Sequence, residues 1–136
     1  MSPEQSSAAV PADRPAGAEG AETPLADLVG EWVTFPDVAE RWDMPVTRVH
    51  NLVGDRRLLA ARIGEVRSIP ALLLGEGGPL ESLRGTAMVL QDAGFTDEQA
   101  IRWLFTPDDT LPGRPIDALR DGRKTEIRRR ASALGW

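Results

Sequence analysis

The chain contains no cysteine, a single histidine and a single lysine among its 136 residues. Without cysteine it cannot form a disulfide, an iron–sulfur cluster, a thiol nucleophile or a zinc site with thiolate ligands. One imidazole, His50, is too few for a histidine metal centre. These absences predict a protein without a metal or cofactor and fit a cytoplasmic location.

Long apolar runs are also missing. No stretch approaches the roughly 18 consecutive apolar residues that a membrane-spanning helix needs, and the N-terminus lacks the basic start and apolar core of a signal peptide. With 41% hydrophobic and 27% charged residues, the chain has the composition of a globular protein. We expect one ordinary domain or two very small ones and no contact with a membrane.

Signatures of catalysis are scarce. His50 is the one available imidazole base, and it lies on a predicted exposed helix face. The acid pairs at 97–98 and 108–109 are typical of helix starts, where carboxylates interact favourably with the helix dipole. The glycine-rich segment 75–79 lacks the lysine of a phosphate-binding loop and is typical of a hinge. We predict that the chain is not an enzyme and has no catalytic residues.

Charge is distributed unevenly along the chain. The net charge of −5 and the pI of 4.9 argue against a nucleic-acid partner, because phosphate neutralisation dominates non-specific binding. Residues 1–24, however, hold four acids against one arginine, a net −3, while residues 46–68 hold five arginines against two acids, a net +3. Arginine makes up all but one of the basic residues, which either a GC-rich genome or a need for planar phosphate contacts explains.

Composition divides the chain into three parts. Residues 1–24 are mainly small, polar or acidic and include few large apolar side chains, so we predict a disordered acidic tail. Residues 25–74 are predicted to form a winged helix-turn-helix, and residues 79–136 a helical C-terminal domain. The predicted fold class is mainly α with a small β-hairpin wing. Hydroxyls of the tail that a kinase can modify are Ser2, Ser6, Ser7 and Thr23.

A helix-turn-helix is predicted from residue 34 onward. Thr34 has the character of an N-cap for a helix over 35–42, and residues 43–45 break that helix before a proline. A second helix is predicted over 46–53, with Gly54 ending it in the left-handed conformation. Its buried side is predicted to consist of Val46, Val49, Leu52 and Val53.

A short hairpin is predicted next, with strands over 58–63 and 66–70 and a turn at 64–65. The outer face of the second helix is sized for the major groove, where arginine reads guanine and asparagine reads adenine. The partner is therefore predicted to be double-stranded DNA, although small helical units commonly expose charged residues. The predicted DNA-binding residues are Thr47, Arg48, His50, Asn51, Arg56, Arg57, Arg62 and Arg67.

The C-terminal part has helical periodicity throughout. One helix is predicted to end at Gly94, and Thr96 with Gln99 forms a capping box for the next. A last helix over 124–134 is striped by Ile127, Ala131 and Leu134. Its region contains a basic cluster that is either a second DNA contact or a solvated face, namely Arg120, Arg123, Lys124, Arg128, Arg129 and Arg130.

Residues 35–53, 57–64 and 67–70 resemble the excisionase/MerR-type winged helix-turn-helix. Residues 32–136 are more similar still to a small actinobacterial family of DNA-binding proteins, chiefly through 94–97, 101–108 and 114–119. A mycobacterial member of that family is a substrate of a membrane-anchored Ser/Thr protein kinase, phosphorylated in its N-terminal tail. The resemblance implies a transcriptional regulator of the nucleoid, with such a kinase as a second partner and Thr23 as the first candidate site.

Two departures limit that resemblance, because the tail does not align residue by residue and an acid, Glu65, occupies the wing turn. An alternative comes from 104–107 and 113–119, which resemble the toxin-binding domain of a class of antitoxins. In that hypothesis the C-terminal helices bind a protein partner. Trp103 and Phe105 are then candidates for the partner surface, although an aromatic pair on a helix is more commonly core.

Overall fold

The computed structural model describes residues 23–134. In this range the chain forms seven α-helices, one short 3₁₀ helix and a three-stranded antiparallel sheet, which confirms the predicted fold class. The elements in chain order are α1 (Leu25–Val29), β1 (Trp32–Thr34), α2 (Phe35–Arg41), α3 (Val46–Gly54), β2 (Ala61–Ile63), β3 (Val66–Pro70), the 3₁₀ helix (Ala71–Leu73), α4 (Leu83–Asp92), α5 (Asp97–Phe105), α6 (Pro115–Arg120) and α7 (Lys124–Ala133). The predicted tail lies outside the described residues apart from its last two.

Helices α2 and α3 form the predicted helix-turn-helix. Thr34 caps α2, since its hydroxyl oxygen accepts the backbone N–H of Asp37 at 3.3 Å. Asp43 follows α2 with φ 54°, a left-handed conformation that aspartate tolerates better than most residues. Pro45 then precedes α3, and the two helices pack against each other.

The predicted end of α3 is wrong in one respect. Gly54 is still helical, Asp55 follows it, and Arg56 takes the left-handed conformation with φ 62°. The reason is the hydrogen bond from Arg57 N to Leu52 O at 2.9 Å, which closes the helix end in the manner of a Schellman motif. That closure places the left-handed residue directly before Arg57.

The sheet is larger than the predicted hairpin. Strand β3 lies between β1 and β2, so that Val33 is opposite Ile69 on one side and Ala61 is opposite Ser68 on the other. Strand β1 was not predicted, because three residues are too few to show a period. The predicted strand over 58–60 is wrong, since these residues precede β2 and their side chains are all buried. A strand with one exposed face would instead alternate.

The C-terminal helices follow the predicted pattern closely. Gly94 has φ 96° after α4, and Thr96 and Gln99 form both hydrogen bonds of the predicted capping box, at 2.9 and 3.1 Å. Helix α4 packs against α7, where Ile127 and Ala131 are buried. The predicted burial of Leu134 is wrong, because α7 ends at Ala133 and the side chain beyond it is 41% exposed.

The two halves of the chain share one continuous hydrophobic core. The segment interpreted as a hinge is a tight turn closed by a hydrogen bond from Gly75 N to Gly78 O at 2.7 Å. Arg120 of α6 donates to the carbonyl oxygens of Leu72 and Leu74, at 2.8 and 3.3 Å, and so ties this turn to the C-terminal helices. No helix within residues 23–134 is long and apolar enough to cross a membrane.

Replacing Ile69 by alanine tests the central position of β3. The side chain is 0% exposed, so we expect the free energy of unfolding in urea to fall by about 2–5 kcal/mol. Val66→Ala is the matched control in the same strand, where a 50% exposed side chain predicts a change of about 0.5 kcal/mol or less. Equal losses from both variants would contradict the burial pattern of the sheet.

Candidate nucleic-acid interface

Helix α3 presents a polar outer face. The side chains of Thr47, Arg48, His50 and Asn51 are exposed, as predicted, whereas Val49 and Leu52 face the core. The predicted burial of Val46 is wrong, because this side chain at the first residue of the helix is 39% exposed. The nine residues of α3 span about 13 Å at 1.5 Å per residue, a length that fits a major groove.

The wing is joined to α3 through Phe35. The ring of this buried residue lies 4.6 Å from the ring of His50 on α3, at an interplanar angle of 59°. The guanidinium carbon of Arg67 in β3 also lies 5.2 Å from the Phe35 ring centroid, within range of a cation–π interaction. These contacts bring His50 of α3 and Arg67 of the wing together at one side chain.

Five exposed arginines lie close together in the sequence, in α3, in the loop that follows it and in the wing. None of them forms a salt bridge with any acid that the structure describes. Arg62 and Arg67 are directly opposite each other in the β2–β3 register, an arrangement that like charges normally disfavour. We call this set the arginine face; its members are Arg48, Arg56, Arg57, Arg62 and Arg67.

The wing tip itself is unsuited to phosphate. Glu65 is exposed at the turn, and its backbone oxygen accepts a long hydrogen bond of 3.4 Å from Arg62 Nη1. A carboxylate at this position repels phosphate. Contacts from the wing therefore have to come from Arg62 and Arg67 on its strands.

Asp97 approaches the arginine face from the C-terminal half. Its carboxylate, at the first residue of α5, accepts the backbone N–H of Ala60 at 3.3 Å. Burial raises the pKa of this carboxyl, while the Ala60 hydrogen bond and the positive charges of Arg67 and Arg56 oppose the shift. This contact was not predicted, and Asp97 was expected to interact with the helix dipole, because nothing near residue 97 in the sequence indicates the contact with Ala60.

The structure divides the C-terminal basic cluster. Arg123 and Arg130 form salt bridges with Glu126 at 2.7 and 3.0 Å, and these two hydrogen-bonded guanidinium groups lower the pKa of Glu126. Exposed side chains on α7, with no ion pair to a described residue, are Lys124, Arg128 and Arg129. These three side chains remain candidates for the predicted second DNA contact.

The aromatic pair on α5 is also divided. Phe105 is fully buried, with the guanidinium carbon of Arg114 5.4 Å from its ring centroid, so it cannot contact a partner. Trp103 is half-buried and lines a shallow groove with Phe95 and Thr106.

Of the predicted tail hydroxyls, only Thr23 lies within the described residues. Its side chain is partly exposed, and its backbone oxygen accepts a hydrogen bond from Arg102 Nη1 of α5 at 2.8 Å. The main chain at this candidate modification site is thus held against the C-terminal helices. Ser2, Ser6 and Ser7 lie outside the residues that the structure describes.

Comparison with known proteins gives consistent matches to both halves. Residues 24–74 match the model described as "DNA-binding protein Rv2175c, wHTH domain", and residues 80–135 match the "Rv2175c C-terminal domain of unknown function". The chain is 33% identical over 115 residues to the DNA-binding protein Rv2175c of Mycobacterium tuberculosis, covering 75% of this chain and 79% of the relative. The NMR structure of Rv2175c superposes with a TM-score of 0.72 at 32% identity, covering 78% and 82% of the two chains.

Replacing Asp97 by asparagine tests the burial of its charge. The folded pKa is raised, so the contribution of this carboxyl to stability is complete below its unfolded pKa near 3.8 and is lost as the pH rises through the folded value. Asparagine keeps an oxygen for Ala60 N–H without the charge. We expect Asp97→Asn to be more stable than the parent at pH 7 in urea unfolding, with the difference closing at pH 3. A difference independent of pH would contradict this explanation.

Proposed function

Because the chain belongs to the Rv2175c family of winged helix-turn-helix proteins, we propose that it binds double-stranded DNA through α3 and the wing. The arginine face carries this proposal, since five exposed cations without salt bridges to described acids are concentrated within residues 48–67 of a protein whose net charge is −5. Their mutual repulsion, most direct between Arg62 and Arg67, is relieved by a polyanion.

Position in the motif divides the proposed contacts into three groups. Thr47, Arg48 and Asn51 on the outer face of α3 are proposed to read base edges, as recognition helices do in this motif. Arg56 and Arg57 follow the helix and are proposed to hold the phosphate backbone. The wing arginines, Arg62 and Arg67, are proposed to contact phosphates or the adjacent minor groove.

His50 has a narrower role in this proposal. One side of its imidazole packs on Phe35, so the ring position is restrained by the core. Its outer edge remains exposed and can donate one N–H to a phosphate or a base. We propose that it acts as an oriented hydrogen-bond donor at the junction of α3 and the wing.

At the level of the cell, we propose a non-enzymatic regulator of transcription that acts on the nucleoid in the cytoplasm. The match of residues 24–74 to the winged helix-turn-helix domain of a DNA-binding protein supports this role. The alternative, an antitoxin-like module whose C-terminal helices bind a protein, is supported by the half-buried Trp103 in its groove with Phe95. Phe105 no longer supports that alternative because it is part of the core.

Arginine substitutions separate base reading from phosphate binding. Arg48→Ala should cost about 1–3 kcal/mol on preferred duplexes and relax the base preference, since a bidentate base contact is lost. Arg57→Ala should weaken binding to all sequences alike and reduce the slope of log K against log salt by about 1. Both are measured by fluorescence anisotropy of the full chain on duplex DNA across a salt series.

Arg129→Ala is the matched control for those titrations, because it removes an exposed arginine from α7. Unchanged binding by this variant would show that Arg129 is not part of the interface. A loss equal to that of Arg57→Ala would show that α7 is a second DNA contact. The absence of any parent binding at low salt would contradict the proposal and favour the protein-partner alternative.

Phosphorylation of the acidic segment 1–24, with Thr23 as the first site and a Ser/Thr protein kinase as the partner, is the regulation that we propose. Each phosphate adds about −1.5 to −2 charges and should strengthen competition of this segment with DNA for the arginine face. We therefore expect weaker DNA binding by the chain phosphorylated at Thr23 than by the unmodified chain, with the difference shrinking as salt is raised. Thr23→Ala treated in the same way is the control, and equal affinities of the two forms would overturn the proposal.

A further inference from the structure

The N-terminal end of α3 carries an apolar side chain, Val46, that has no part in the polar contacts proposed above. We propose that Val46 contacts the 5-methyl group of a thymine in the major groove, so that the preferred DNA site contains an A·T pair beside the positions read by Thr47 and Arg48. This inference rests on the proposed function and adds one element of its sequence specificity.

Val46 is an apolar side chain that is partly open to solvent. Val46 is 39% exposed, and the other large hydrophobic side chains exposed to this degree in the described chain are Val66, Met88 and Leu134. Periodicity places Val46 one turn before Val49, on the stripe that should be buried. Val49 and Leu52 are the buried residues of α3, and burial is incomplete at Val46. Part of this apolar side chain is therefore open to solvent at the first residue of the helix.

Val46 also lies at the N-terminal end of the second helix of the motif. In helix-turn-helix proteins the N-terminal residues of the second helix are the ones that reach base edges. Val46 is the first residue of α3, and its neighbours Thr47 and Arg48 are exposed at the same end. The preceding Pro45 makes no side-chain capping hydrogen bond, so no polar cap covers this end of the helix.

The chemistry of the major groove also favours an apolar contact at this position. The polar side chains of the outer face recognise hydrogen-bond donors and acceptors, whereas the thymine methyl is the apolar feature of the major groove and requires an apolar contact. Valine suits this contact because its branched side chain holds two methyl groups in few rotamers. Val66 is not equivalent, because it lies in the wing next to the acidic Glu65.

Thymine-to-deoxyuridine replacement tests the contact directly, since it removes the methyl group and keeps every hydrogen-bonding group of the base. Preferred duplexes are first selected from a random duplex pool with the full chain, and each thymine of the selected site is then replaced singly. At one position we expect the parent to bind about fourfold more weakly, which corresponds to about 0.8 kcal/mol for a methyl-sized group. Val46→Ala should bind the thymine and deoxyuridine duplexes equally at that position.

Val66→Ala is the control variant, because it shortens another exposed valine, 50% exposed against 39% for Val46, outside α3 and should keep the parent's discrimination. DNA binding in which no thymine shows a methyl effect dependent on Val46 overturns the inference and leaves the proposed function standing. Absence of DNA binding by the parent overturns both. A Val46→Ala variant that loses affinity yet keeps the deoxyuridine effect also overturns the contact, because its role is then structural.

Discussion

The burial of Phe35 is the interaction on which the arrangement of the interface depends. This residue begins α2 directly after β1, and its ring contacts both His50 of α3 and Arg67 of β3. One side chain thus links α3, the wing and the edge strand β1. With a small side chain in its place, α3 and the wing would keep their own backbone hydrogen bonds but lose this shared contact.

Electrostatic separation is the second organising feature. In the C-terminal half, Arg123 and Arg130 are paired with Glu126, and Arg114 is paired with Asp117. The arginine face has no such salt bridges among the described residues, and neither have Arg128 and Arg129 on α7. A protein with a net negative charge can in this way present positive charge locally. Asp97 is a carboxylate near Arg56 and Arg67, and it accepts the backbone N–H of Ala60.

Local signals explain why the helices of both halves were predictable. Thr34 as a cap, the break before Pro45 and the capping box of Thr96 and Gln99 are interactions between residues within a few positions of each other. Strand β1 was not predicted, because only its pairing with β3 identifies it as a strand. Val33 lies opposite Ile69, which is 36 positions later in the chain. The Asp97–Ala60 contact was missed for the same reason, since 37 positions separate the two residues.

Taken by itself, the sequence determined the order and types of the main helices, the wing turn and the exposed polar face of α3, because periodicity and capping act over one or two helical turns. Tertiary structure decided the three-stranded sheet, the left-handed conformation of Arg56 and the joining of α3 to the wing through Phe35. It also decided that Val46 lies outside the core, although its spacing predicts burial. Where a hydrophobic stripe stops being buried depends on how far the neighbouring elements extend over it, and that is set by packing between residues distant in the chain.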